Sequence, residues 1–164
     1  MSLHAGLICE VLGLLALANY TPILLKRVAG HRWAWPLDGG LALWDGRPLL
    51  GSSKTWRGLA GSLVATSAGA LALGMGWGVG TVVAAWSMGG DLFSSFCKRR
   101  MGLSSGGRAT GLDQIPEALF PALAVRGMLG LSWLDVVVVV GVFLVGEMGL
   151  SVLFFRWHLR DRPY

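Results

Sequence analysis

Five apolar stretches, at about 5–25, 59–73, 79–97, 115–131 and 136–155, alternate with segments that hold nearly all of the chain's positive charge. That alternation limits the fold more than any other feature. A helix crossing a bilayer needs about 20 predominantly apolar residues, and each stretch meets or approaches that length. With 54% hydrophobic and 14% charged residues, the chain is far from a soluble domain, in which about a quarter of residues are charged. The expected fold is an all-α integral membrane protein with five transmembrane helices, forming one domain over 1–164. The first stretch lacks the basic flank and small-residue cleavage site of a removed signal peptide. GMGWG at 74–78 is expected to turn tightly between the second and third stretches. Gly61, Ala65 and Gly69 form a stripe of small residues that permits close backbone approach. Cys9 and Cys97 fall near the ends of different helices, so no disulfide framework is expected.

Of the 14 Lys and Arg, all but Arg126 lie at 26–57, at 98–108 or after residue 155. Cytoplasmic loops carry the excess of Lys and Arg. The expected topology therefore has the N-terminus outside and the C-terminus cytoplasmic, with long inner loops at 26–58 and 98–114. Loops of that length are usually functional or disordered, and Trp33, Trp35 and Trp44 suit a loop lying at the membrane interface. The basic residues flank apolar segments and form no single tract. The cytoplasmic leaflet and phosphorylated ligands are the expected partners, not nucleic acid.

The third stretch runs into GGDLFSSFCKRR at 89–100. On a helix Asp91, Ser95 and Lys98 share one face, which Ser94 and Arg99 widen. A carboxylate at membrane depth implies a partner or a water-filled cavity, although the basic trio alone also suits an ordinary interfacial anchor. SSKTWRG at 52–58 leads into the second stretch. Thr55 is a fitting N-cap there, with Lys54 and Arg57 beside the helix's free N–H groups, where dipole, donors and charge all favour phosphate. The plainer alternative is a basic loop resting on anionic lipid. GRPLLGSSKT at 46–55 lacks the spacing and the preceding strand of a P-loop. Asp113 either caps the fourth helix, ahead of Pro116, or joins Asp91 in holding Mg²⁺, with Glu117 the next acid in line. Mg²⁺ typically takes one or two carboxylates together with substrate phosphates and waters. Glu10 and Glu147, inside the first and fifth stretches, support a rival class, a small proton-coupled transporter. They serve equally as packing residues. A non-catalytic lipid-binding scaffold is the third class. His4, His31 and His158 read as ordinary interfacial residues.

Taken together and in order, DGRPLLG at 45–51, SSKTWRG at 52–58, GDLFSSFCKRRMG at 90–102 and LDQIPE at 112–117 resemble the CDP-archaeol synthase family, a distant relative of CDP-diacylglycerol synthase. The resemblance implies a Mg²⁺-dependent transfer of CMP from CTP to a lipid phosphate of the cytoplasmic leaflet, giving a CDP-lipid and pyrophosphate. It implies a multi-pass protein of the cell membrane with a cytoplasmic active site. By motif match it implies catalytic roles for Lys54, Arg57, Asp91 and Lys98. Nucleotide binding falls to Asp38, Lys54, Thr55, Arg57, Lys98 and Arg99, and the metal to Asp91 and Asp113. The family has a second acid three residues after Asp113, where this chain has Pro116 followed by Glu117. Such chemistry needs no catalytic His or Cys. A phosphate monoester, with its second pKa at ~6, is already a largely dianionic nucleophile at neutral pH, and Lys, Arg and Mg²⁺ supply charge neutralisation and alignment.

Overall fold

The other helices assemble around α1 (Ala5–Ala29). Its Ile8, Val11, Leu14, Leu15 and Ala18 recur at three- and four-residue spacing and are all buried. The computed structural model describes residues 3–105, 109 and 111–156, with side chains as far as Gly149. In it α1 touches all four partners, namely α2 (Trp56–Ala72), α3 (Trp77–Arg100), α4 (Gln114–Leu129) and α5 (Trp133–Arg156). The remaining contacts follow chain order, α2 on α3, α3 most extensively on α4, and α4 on α5. All five expected helices are present, with ends within a few residues of those expected. Arg108, His158, Arg160, Arg162 and the Arg156 side chain lie outside the described residues.

Among the described residues, α1 alone combines the length and hydropathy to cross a membrane by itself. The helices α2 and α4 have 17 and 16 residues, roughly 25 Å at 1.5 Å per residue. That falls short of a hydrocarbon core about 30 Å thick. At 24 residues α3 is long enough, but Asp91, Lys98, Arg99 and Arg100 occupy its second half.

Helices approach closely where a side chain is missing. A Cβ on Gly80 would stand 2.5 Å from the Thr66 carbonyl oxygen, so α3 crosses α2 backbone to backbone. Gly61 and Gly69 turn toward Leu25 and Leu17, which places the small-residue stripe at the α1–α2 contact. Pro22 inside α1 has no N–H, leaving the Ala18 carbonyl without its helical donor. The fully buried Ser62 hydroxyl of α2 donates to that carbonyl at 2.9 Å. Asn19 donates to the Leu15 carbonyl and to the Ser87 hydroxyl, each at 3.0 Å, tying α1 to α3.

The two ends of the bundle differ. At one end the 73–76 turn is tight, as expected, with Gly74 and Gly76 at positive φ. Beside it the fully buried Asp135 carboxylate accepts from the backbone N–H of His4 at 3.0 Å and of Ser132 at 2.8 Å, and meets His4 Nδ1 at 2.7 Å. His4 is therefore no loose interfacial residue; it staples the start of α1 to the start of α5. At the other end the connection from α1 to α2 is ordered. Pro36 bridges Thr55 and Ala42 bridges Pro48, both antiparallel. Leu37 N–H donates to the Lys54 carbonyl and Leu49 N–H to the Leu41 carbonyl, each at 2.8 Å.

Candidate active site

Asp38 shapes that loop. Its Oδ2 accepts from the N–H groups of Leu50 at 2.9 Å and Gly51 at 3.1 Å, and its Oδ1 from Gly40 at 3.0 Å. Partial burial pushes the carboxyl up, but the backbone donors of Leu50, Gly40 and Gly51 outweigh it and hold the pKa below the usual carboxylate value. With both oxygens engaged by backbone, Asp38 organises the loop from within.

Reciprocal arginine contacts dock the loop on the end of α3. Arg100 donates to both Asp45 oxygens at 2.7 Å and to the carbonyls of Arg47 at 3.2 Å and Pro48 at 2.6 Å. The Arg47 guanidinium in turn donates to the Arg100 carbonyl. Nothing in the spacing of these residues foretells the clamp, because Asp45 and Arg100 lie 55 positions apart.

Docking carries Lys54 to α3. Its Nζ lies 2.5 and 2.6 Å from the two Asp91 oxygens, and both side chains are largely covered. Glu117 of α4 also reaches Asp91 by a side-chain hydrogen bond. The crossing of α3 over α4 makes this possible. A Cβ on Gly90 would lie 2.3 Å from the Pro116 carbonyl oxygen and 2.7 Å from the Glu117 nitrogen.

Further along α3, Lys98 Nζ lies 2.6 Å from Asp113 Oδ1, with the side chains 9% and 14% exposed. Asp113 Oδ2 accepts from Ala109 N–H at 3.1 Å. Asp113 does stand at the N-cap position of α4, but its side chain makes no capping bond there. The capping alternative is therefore not realised, and Gln114 Oε1 takes the Gly111 N–H instead, at 2.7 Å. Arg99, 3% exposed, feels the Asp113 charge and passes beside Gly51. Ser94 and Ser95 are buried on the same side, and the Ser94 hydroxyl donates to the Asp91 carbonyl at 3.0 Å. The polar face expected from the helical spacing is thus present.

Lys54 with Asp91, and Lys98 with Asp113 beside Arg99, form two ion-paired groups two helical turns apart on α3, where the loop meets the end of α3 and the start of α4. Each carboxylate has its own lysine. Among the described residues, no three His, Cys, Asp or Glu side chains converge as a metal-binding group. Thr55 caps α2 as expected, accepting from Gly58 N–H at 3.2 Å. Arg57 stands apart from the group. Its guanidinium donates to the carbonyls of Gly30, at 3.2 Å, and Arg32, near the end of α1. Glu117 is the member of the site with the weakest signal in the sequence, since an acid in the first turn of a helix needs no other reason than the helix dipole.

Comparison with known proteins identifies relatives of the whole chain. A family model described as CarS-like, CDP-archaeol synthase, matches residues 6–164. The CDP-archaeol synthase of Hyperthermus butylicus is 41% identical over 104 residues, covering 60% of this chain and 59% of that protein. The shared segment is thus less than two thirds of the Hyperthermus protein. The CDP-archaeol synthase of Aeropyrum pernix is 38% identical over 123 residues, covering 71% and 67%. That of Saccharolobus islandicus is 27% identical over 169 residues, covering 92% and 96%. A solved structure described as an intramembrane enzyme for archaeal membrane lipids biosynthesis matches with a TM-score of 0.66 and 31% identity, covering 85% of this chain and 91% of that one. Matched by the family model over residues 6–164 and alike in fold to the solved structure, the chain belongs to the CDP-archaeol synthase family.

Proposed function

We propose that this chain transfers CMP from CTP to a lipid phosphate of the cytoplasmic leaflet, giving a CDP-lipid and pyrophosphate. It does so as a five-span protein of the cell membrane, N-terminus outside and C-terminus inside, with the site at the cytoplasmic end of the bundle. The observation that carries this reading is that the Lys54–Asp91 pair, the Lys98–Asp113 pair and the buried Arg99 all lie at the same end of the bundle. Three cations held on a rigid helix end and a clamped loop are what a triphosphate requires. Family membership supports the same reading.

The lipid phosphate is a dianionic nucleophile without help from a base. One of its oxygens attacks the α-phosphorus of CTP. The new P–O bond forms as the bond to the α–β bridging oxygen breaks, and the electron pair leaves with pyrophosphate. Negative charge grows on the non-bridging and leaving oxygens, where Lys54, Lys98 and Arg99 donate. Arg57 takes the lipid's phosphate, while Asp38 and Thr55 hold the loop and the start of α2 in place. Asp91 and Asp113, each paired with a lysine in this structure, are the carboxylates that would hold Mg²⁺. Their hard oxygen donors suit Mg²⁺, which uses one or two carboxylates beside substrate phosphates, and Asp91 has a further carboxylate in hydrogen-bond contact, Glu117. Bound there, Mg²⁺ would neutralise phosphate charge.

Proton-coupled transport through Glu10 and Glu147 has no support. The relatives are named as synthases. The deciding experiment offers the purified protein CTP, Mg²⁺ and a panel of lipid phosphates, ether- and ester-linked, and follows pyrophosphate. Release that depends on both lipid phosphate and Mg²⁺ is expected. CTP should also stabilise the protein, by about 2.7 kcal/mol at a hundredfold excess over Kd. No pyrophosphate with any lipid, together with no thermal shift at millimolar CTP, would sink the proposal.

A further inference from the structure

Residues 42–48 make a small hairpin at the tip of the loop between α1 and α2. Ala42 bridges Pro48, the Leu43 N–H donates to the Arg47 carbonyl at 3.0 Å, and Gly46 turns at a φ of +71°. Asp45 and Arg47 of this hairpin meet Arg100, the last residue of α3. The carbonyl of a last helical residue has no donor within its helix, and the Arg47 guanidinium supplies one to Arg100. The Arg100 guanidinium also lies over the Phe96 ring, 5.4 Å from its centroid, which fixes its direction. An isolated exposed ion pair contributes little, and the Asp45 and Arg100 side chains are 31% and 22% exposed. This pair is not isolated. One planar fork holds both Asp45 oxygens and the carbonyls of Arg47 and Pro48, and Arg47 returns the contact. Bidentate contacts joined in this way hold a single geometry. The hairpin also carries Lys54 with it. The Leu37 N–H donates to the Lys54 carbonyl at 2.8 Å, and Asp38 binds Gly40 on one side of the hairpin and Leu50 and Gly51 on the other. Displacing the hairpin from α3 would therefore move the Lys54 backbone and draw its Nζ away from Asp91.

We propose that Asp45, Arg47 and Arg100 are positioning residues for CMP transfer, a clasp that acts through Lys54 without itself touching substrate. The proposal rests on the cytidylyltransferase reading and adds to it three residues that hold no phosphate. A misplacement of about 1 Å at a reacting centre costs on the order of 10²-fold in rate, so a loosened clasp registers in kcat. The sign of the charge separates this role from a plain field effect. Asp45→Asn leaves the loop end more positive, which favours a triphosphate if the field alone matters. As the loss of half the clasp, the same substitution lowers turnover.

Kinetics and a distance measurement on the full chain together test the clasp. Arg100→Gln and Asp45→Asn should each lower kcat for CMP transfer about 10-fold, with the KM for the lipid phosphate within about twofold. In a Lys54→Ala background neither should remove more than about a further twofold, because residues that act through one group are not additive. Lys26→Gln, an exposed cation at the same end, should leave kcat within about twofold. With Cys9 and Cys97 replaced by Ser, nitroxides at exposed Ser53 and Met101 report the separation of loop and α3 by pulsed electron resonance, with no need for turnover. One narrow distance distribution is expected with the clasp intact, and a broader, longer one in Arg100→Gln and in Asp45→Asn. Losses that multiply in full with Lys54→Ala, a rise in turnover with Asp45→Asn, or an unchanged distribution in both clasp variants would overturn the proposal. A wild-type protein that transfers no CMP, yet loses its narrow distribution with Asp45→Asn, would keep the clasp on Lys54 and remove the cytidylyltransferase reading, so the two fail separately.

Discussion

Lys54 and Lys98 each hold one carboxylate, and the two pairs make different demands on substitution. Lys54→Ala should cut turnover about 10²-fold, as expected when a pre-organised charge is lost from a phosphate site, with the helices intact by circular dichroism. Asp113 gives a sharper test. Asn caps a helix about as well as Asp, so a capping role would tolerate Asp113→Asn. Because Asp113 faces Lys98 and makes no cap, Asp113→Asn should instead lower pyrophosphate release about 10-fold or more; near wild-type turnover would remove it from the site. Asp38 answers to pH. Its folded pKa lies below its unfolded one, so its contribution to loop order is full above the ordinary carboxylate value and is lost as pH falls through the depressed value. Amide exchange at Leu50 and Gly51 should therefore accelerate only at pH below about 4, and Asp38→Asn should abolish that step. Helical spacing was enough to anticipate the polar face of α3 and the Thr55 cap. It was not enough to pair Lys54 with Asp91, because a separation of 37 positions and an arginine clamp decide where the loop lands. The same clamp and cap leave Arg57 facing the end of α1 when its sequence neighbour Lys54 faces α3.

At the scale of helices, hydrophobic stretches are legible because burial in lipid or in a core demands them, whereas crossings depend on single atoms. Gly90 is the clearest case. Between apolar helices a glycine looks like any other small residue, yet a Cβ there would meet backbone of α4 at 2.3 Å. Since backbone cannot yield as a flexible side chain does, Gly90→Ala should force α3 and α4 apart. Overpacking of this kind costs about 1–3 kcal/mol, and it should also part Glu117 from Asp91, lowering activity well beyond the loss of stability. A thermal melt alongside a turnover assay reads both effects. Ser62 is a parallel case between α1 and α2. Removing its hydroxyl leaves the Ala18 carbonyl, already deprived of a donor by Pro22, buried and unpaired. The expected loss is about 1–3 kcal/mol with KM for CTP unchanged, while Ser62→Thr, which keeps the hydroxyl, should recover most of it. Neither contact was readable from the chain, since Pro22 and Ser62 lie on different helices and the proline alone suggests only a kink.

For the whole molecule the two ends of the bundle carry different charge. Lys26, Arg27, Arg32, Arg47, Lys54, Arg57, Lys98, Arg99 and Arg100 all belong to the end with the ordered loop, where α1 and α3 finish and α2 and α4 begin. At the other end the described cation among Lys and Arg is Arg126, stacked on Trp133 at 4.0 Å, near the His4–Asp135 staple. This asymmetry was legible in the sequence because it needs only the positions of charges relative to apolar stretches. The shortness of α2 and α4 was legible too, since the apolar stretches at 59–73 and 115–131 already fall below the roughly 20 residues of a full span. The positive-inside rule predicts that the loop end faces the cytoplasm, which is where the proposed CTP-consuming site would find its nucleotide. The orientation can be read by labelling. Cys9 and Cys97 are free, so with both replaced by Ser, single cysteines at exposed Ser53 and Leu73 report the two ends. In intact cells a membrane-impermeant maleimide should label Leu73→Cys and spare Ser53→Cys until the membrane is permeabilised. The reverse pattern would put Lys54, Asp91 and Lys98 on the outer face, away from cytoplasmic CTP. Five spans, N-terminus outside, and a cytoplasmic cytidylyltransferase site would then fall together, since all three rest on the same charged end of the bundle.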